Sequence, residues 1–295
     1  MAPMNKYLVP AMLLLVMTVC ADELPDISTV APDLVVPPMT TGAPAPGQRV
    51  RFTTPGWEST EVYGTLYLPT DWKPDGHFPV IAEWAGNGDF HNSFGDVSTG
   101  VVEGSRLGYG ITEGRGCIWV CLPYLNHAGT ANVIKWWGDP PGYDPQPTLA
   151  YARATVRSVC EKFGGDPSRV VLAGFSRGSI ACNYLGLYDD ETARLWRAFV
   201  CYSQYDGERT GWPYPGADRV SALARLRRLN GRPQFICGEN ANASDTERYL
   251  RDSGSWEKGA FTIVPTGFRN HNDAWVLRPS EPRTKLREWF RAILN

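Results

Sequence analysis

Five residues, Gly174-Phe175-Ser176-Arg177-Gly178, constrain this chain more than any others. They follow the continuously apolar, strand-like run Val170-Val171-Leu172-Ala173 and lead directly into Ser179-Ile180-Ala181-Cys182-Asn183-Tyr184-Leu185, an apolar-faced run that can be helical. A strand that turns at once into a helix holds its middle residue in a strained backbone conformation. Side chains two positions to either side would collide, so glycine is needed at both. The serine is lifted out of the sheet and set at a helix N-terminus, where partial positive charge and unpaired N–H groups stabilise a developing negative oxygen.

The surrounding pattern supplies the sheet. Arg49 to Thr53, Glu61 to Leu68, Phe78 to Trp84, Ile118 to Pro123, Arg169 to Gly174, Ala198 to Tyr202, Gln234 to Gly238 and Phe261 to Val264 read as strands. Several are apolar throughout, as strands covered on both faces must be. Helical periodicity runs from Leu149 to Phe163, stopped by Gly164-Gly165, and from Arg219 to Leu229; a last helix spans Pro282 to Leu294. Ser244 and Glu247 have capping-box spacing ahead of another helix. This alternation predicts one α/β domain over residues 48–295, a mostly parallel eight-stranded sheet with helices on both faces.

Before that domain, residues 22–47 are rich in Pro, Thr and Ala without an apolar period, which predicts a linker or tail with no fold of its own. Residues 1–21 have the layout of a signal peptide: Lys6, an apolar run from Tyr7 to Val19, and small residues before Asp22. The run is short for a membrane span, which needs about 20 apolar residues. Export is therefore expected, to a secreted or periplasmic location, with no membrane span once the leader is removed. A formal net charge of −2 gives no reason to expect a nucleic-acid partner.

Without Cys20 the chain keeps Cys117, Cys121, Cys160, Cys182, Cys201 and Cys237, an even number compatible with disulfides in an exported protein. Cys201 and Cys237 lie in apolar strands and are read as thiols. Cys117 and Cys121 are too far apart along one strand to pair with each other, but either could bond elsewhere, for example to Cys160. No Cys or His pair has zinc-site spacing, and no cofactor is implied. The irregular stretch from Asn126 to Pro147, with His127, Trp136, Trp137 and Tyr143, reads equally well as a functional loop or as a self-packed one.

The segment from Asp166-Pro167-Ser168-Arg169 through Gly178 resembles the elbow of secreted α/β-hydrolase-fold serine esterases, including polysaccharide-side-chain esterases and prolyl-oligopeptidase-like hydrolases. The likeness extends by element order from Thr60 to the C-terminus. It implies acyl transfer through a Ser-His-acid triad, in the chain order serine, acid, histidine, with a small-molecule or polysaccharide-linked ester as substrate. An amidase or peptidase would use the same machinery.

A serine hydroxyl needs a base to take its proton. Of His77, His91, His127 and His271, only His271 follows the elbow, in the polar loop Gly267-Phe268-Arg269-Asn270-His271-Asn272-Asp273, where the family keeps its base. The acid usually stands three residues beyond the glycine that here is Gly238, but that position is Ala241. Glu239 and Asp206 are equal substitutes, with Asp245 third, and a non-catalytic binding protein of the same fold is the competing reading. The oxyanion donors expected are the backbone N–H of Arg177 and, from the loop Ala85-Gly86-Asn87-Gly88, that of Asn87. The Arg177 side chain could pair with an acidic substrate group or simply be solvated; Trp84, Trp136, Trp137 and Trp212 could line a site or the core.

Overall fold

Alternate residues of the central strands serve opposite faces, which is why their buried stretches are apolar almost throughout, Glu83 being the exception. A computed structural model describes residues 24–294. The expected leader at residues 1–21 lies outside the described residues. The strands β1 (Met39–Thr40), β2 (Arg49–Phe52), β3 (Gly64–Tyr67), β4 (Phe78–Trp84), β5 (Ile118–Leu122), β6 (Gly165–Phe175), β7 (Ala198–Tyr202), β8 (Pro233–Gly238) and β9 (Ala260–Pro265) form one sheet. Its order is β1-β2-β3-β5-β4-β6-β7-β8-β9. β3 is antiparallel to β2 and β5, and the other neighbouring pairs are parallel.

The helices are α1 (Leu107–Thr112), α2 (Gln146–Phe163), α3 (Arg177–Tyr184), α4 (Asp190–Ala193), α5 (Arg219–Leu226), α6 (Asn242–Asp252) and α7 (Glu281–Leu294). Val80, Ala82 and Trp84 of β4, with Val170 and Leu172 of β6, face a core layer containing Leu149, Ile180, Leu226 and Leu250 from α2, α3, α5 and α6. Ile81, Val171 and Ala173 face the other layer, closed by Leu107 and Ile111 of α1 and Leu286 and Phe290 of α7. Helices cover both faces, as the alternation predicts.

The sheet has nine strands where eight were expected, because the Pro-rich segment is not a free tail. Met39 and Thr40 pair with Arg49 and Val50. Upstream, Ile27 is buried, and Val30, Leu34 and Val36 pack on the layer beneath α7. Extended chain and a single 3-10 turn (Ile27–Thr29) make these contacts, so no helical or strand period announces them.

Two further expectations are corrected. The six cysteines among the described residues are free thiols, as read for Cys201 and Cys237 and contrary to the suggested disulfide from Cys117 or Cys121 to Cys160. Cys117 and Cys121 sit in the layer beneath α7, whereas Cys160 packs against the opposite layer, so the sheet itself separates the suggested partners. The capping box is not made: α6 starts at Asn242 without a side-chain cap, and Ser244 lies within it, its hydroxyl donating to the Ala241 carbonyl at 2.8 Å.

Candidate active site

Ser176 joins β6 to α3 with φ 54° and ψ −115°, a conformation L residues rarely adopt. Steric need for the flanking glycines is explicit. A Cβ on Gly174 would stand 2.1 Å from the Gly178 carbonyl oxygen, and one on Gly178 would stand 2.1 Å from that of Trp84. The strain is held by the sheet beneath: the Ser176 N–H donates to the Tyr202 carbonyl at 2.9 Å.

The same ladder extends past the ends of the neighbouring strands. Ser203 N–H donates to the Cys237 carbonyl at 2.8 Å, and Thr266 N–H to that of Gly238 at 2.9 Å. Ser176, Ser203, Glu239 and the loop carrying His271 therefore leave the C-terminal edge of the sheet side by side, where open α/β sheets place their ligand crevice.

His271 Nε2 is 3.0 Å from Ser176 Oγ. Its Nδ1 is 2.7 Å from Glu239 Oε1. With Nδ1–H donating to the carboxylate, Nε2 is left with a lone pair directed at the serine hydroxyl. The imidazole is packed between Phe90 and Phe175, each 4.8 Å away by ring centroids. Glu239 Oε1 also accepts from Ser203 Oγ at 2.9 Å and from Asn242 Nδ2 at 2.7 Å, and Ser203 Oγ lies 2.8 Å from His271 Nδ1. Ser203 and Asn242 carry no sequence signal for this role: a serine after a strand and an asparagine opening a helix are ordinary residues there.

Of the three acids weighed, the structure brings only Glu239 to His271. Asp206 is 2% exposed and faces away, accepting from Arg225 Nε at 2.9 Å and Tyr214 Oη at 3.3 Å. Burial raises its carboxyl above the usual range, and Arg225 opposes that shift. Asp245 lies in the first turn of α6, 3.0 Å from Arg248. Glu239 succeeds from one residue beyond the strand because β8 and β9 are in register there, Gly238 opposite Pro265, so the two chain exits are adjacent.

Arg177 and Asn87 present backbone N–H groups that meet no hydrogen-bond acceptor among the described residues. The Arg177 side chain is neither solvated nor open to a substrate. It is 1% exposed, stacked 3.8 Å over the Tyr124 ring, and its Nη2 donates to the Gly86 carbonyl at 2.7 Å. Burial pulls its pKa down to about 10. Tyr124 Oη in turn donates to the Ala85 carbonyl at 3.1 Å, and Gly88 N–H donates to the Ile134 carbonyl at 2.6 Å.

The loop from Ala85 to Gly88 is thus fixed from one side by Arg177 and Tyr124 and from the other by the irregular 126–147 stretch. That stretch is packed onto the domain core, with Trp137 fully buried and stacked on Tyr184 of α3 at 4.6 Å. Trp84 is core as well; Trp136 and Trp212 are half-buried, 5.2 Å apart.

Glu83 lies under this loop, fully buried. It accepts backbone N–H groups of Arg106, Leu107 and Gly108 at the start of α1 and the Trp119 indole N–H, at 2.8 to 3.1 Å. Burial outweighs these donors and lifts its carboxyl to about 7.

No protein-family model matches the sequence, and no curated protein matches it. Solved structures do. A protein described as a dipeptidyl aminopeptidase IV from Bacteroides ovatus matches with a TM-score of 0.53 and 14% identity, over 83% of this chain and 35% of that one. The AtxE2 isopeptidase matches with a TM-score of 0.51 and 15% identity, over 84% and 40%. A thermostable esterase matches with a TM-score of 0.46 and 16% identity, over 83% and 62%. The chain spans less than two thirds of the length of each of these three proteins. From its sheet order, its strained serine between β6 and α3 and the first two of these matches, the chain has the α/β-hydrolase fold.

Proposed function

We propose that the protein is a serine hydrolase that cleaves carboxylic esters through an acyl-enzyme on Ser176. The observation that carries this reading is the line of contacts from Ser176 Oγ through His271 to Glu239, at 3.0 and 2.7 Å. Ser176 Oγ attacks the acyl carbon while its proton passes to His271 Nε2. The Arg177 and Asn87 N–H groups receive the oxyanion. The imidazolium, stabilised by Glu239 across Nδ1–H, then gives the Nε2 proton to the departing alkoxide, leaving the acyl group on Ser176. Water repeats the sequence, losing its proton to Nε2 as it attacks the acyl carbon, and the free acid and serine are regenerated.

A non-catalytic binding protein of the same fold is the competing reading, resting on Ala241; the contact of Glu239 with His271 supports the catalytic one. A peptide or amide bond is the alternative substrate class, since the same groups would protonate a departing amine. Incubation with a fluorophosphonate probe is expected to label the protein on Ser176, and Ser176→Ala is expected to abolish labelling. Wild-type protein that stays unlabelled sinks the hydrolase reading. A panel of esters, anilides and peptides then separates the substrate classes. The layout of residues 1–21 supports export, for which N-terminal sequencing of protein recovered outside the cell is the test.

A further inference from the structure

His271 sits in a loop without regular structure, yet that loop is gripped from three remote parts of the chain: the Tyr202 hydroxyl, which bonds the backbones of Asn270 and Asn272 at 3.1 and 3.2 Å, Asp96 and the N-terminal segment. The His271 N–H donates to Asp96 Oδ2 at 2.9 Å. Asp96 is 1% exposed and also accepts from the side chains of Asn92 at 2.8 Å, Asn270 at 3.0 Å and Asn272 at 3.4 Å. Asn270, directly before the histidine and itself 2% exposed, has its whole amide engaged. Oδ1 accepts the Ile27 N–H at 2.7 Å, and Nδ2 donates to Asp96 and, at 3.3 Å, to Asp26.

Arg269 completes the junction. Its guanidinium meets Asp26 at 3.0 and 3.2 Å, and its N–H donates to the Pro25 carbonyl at 3.1 Å. The N-terminal segment is anchored along its length. Ile27 is buried, the Val30 carbonyl accepts from Arg278 at 2.9 Å, and Asp33 takes the Arg283 guanidinium at 2.5 and 2.7 Å.

We propose that residues 25–27 are a positioning strap for His271: acting through Asn270 and together with Asp96, they set where Nε2 stands relative to Ser176. This rests on the reading of His271 as the general base. Proton transfer depends steeply on that placement; a misplacement of about 1 Å can cost roughly a hundredfold in rate. The amide of Asn270 is the joint, because it alone touches Ile27, Asp26 and Asp96.

The test uses the full chain with Asp26→Ala, Asn270→Ala and, as a control, Asp33→Ala, which breaks an ion pair farther along the same N-terminal segment, outside the strap and without touching the histidine loop. Labelling of Ser176 by a fluorophosphonate is expected to slow about ten- to a hundredfold in the first two, with kcat falling in parallel and KM little changed. Asp33→Ala should lower the thermal midpoint and leave the labelling rate at the wild-type value. The proton NMR resonance of the His271 Nδ1–H shared with Glu239 should broaden or vanish in Asp26→Ala and persist in Asp33→Ala.

Wild-type labelling rates in both Asp26→Ala and Asn270→Ala overturn the proposal, as does equal slowing in Asp33→Ala, which would make the N-terminal segment a general stabiliser. If the wild type itself does not label, the hydrolase reading has failed instead. The Nδ1 resonance still decides the strap: kept in Asp26→Ala it refutes the positioning role, lost there and kept in Asp33→Ala it supports it.

Discussion

Glu239 reaches His271 Nδ1 at 2.7 Å from the position immediately after Gly238, two residues before the place a triad carboxylate usually takes. The contact exists because the ends of β8 and β9 are paired. Neutralising a triad acid leaves the imidazole in the wrong tautomer, which in another serine hydrolase costs about 10⁴-fold in kcat. Glu239→Gln is therefore expected to lower kcat on an activated ester by about 10³- to 10⁴-fold while stability changes little. Steady-state kinetics beside a thermal melt checks both parts.

Asp206 should behave in the opposite way. Its carboxylate is committed to Arg225 in a buried pair, so Asp206→Asn leaves a buried cation without its counter-charge, at a cost of about 3–5 kcal/mol. Chemical denaturation should show the loss, and kcat of the folded fraction should stay within a few-fold of wild type. A thousandfold fall in kcat with unchanged stability would give Asp206 the role assigned to Glu239.

What the sequence discloses and what it hides divide along contact range. The elbow is legible because its sterics are local: Gly174 and Gly178 stand where a Cβ would strike backbone 2.1 Å away. His271 is legible because it is the one histidine after the elbow. Glu239 and Asp206 each follow a strand, and only the sheet order decides which strand end adjoins the histidine loop. The Asn270 junction joins Ile27 and Asp96 across 243 and 174 residues, in chain with no apolar period. The Arg177 side chain stands in a helical first turn, and nothing nearby in sequence reveals that Tyr124 waits beneath it.

Arg177→Lys tests that hidden contact. A lysine keeps the charge but can neither stack as a plane on Tyr124 nor reach the Gly86 carbonyl in the same geometry. The loop carrying Asn87 should loosen, and the N–H proposed to meet the oxyanion should be less well placed. We expect kcat to fall about ten- to a hundredfold, short of the 10²- to 10³-fold from deleting a donor outright, with KM nearly constant. A change confined to KM would mean that Arg177 acts on substrate binding instead.

Glu83 predicts how stability responds to pH. Its carboxyl titrates near 7 in the folded protein against 4.5 for the free side chain. Between those values the folded state holds a proton that the unfolded state has released, so stability falls as pH rises across the window. The contribution is fully present below about pH 4.5 and lost above about pH 7, where the ionised buried carboxylate costs roughly 3 kcal/mol at 1.36 kcal/mol per pKa unit. Replacement by Gln removes the titration but sets an NH₂ group against donors at α1 and Trp119, so Glu83→Gln should be less stable than wild type at pH 5. The gap should narrow toward pH 8, because only the wild type loses stability through this group. Unfolding free energies of both proteins by urea titration at half-unit pH steps give the difference curve. A curve that is flat from pH 4.5 to 8 would show that the four N–H donors hold Glu83 ionised throughout.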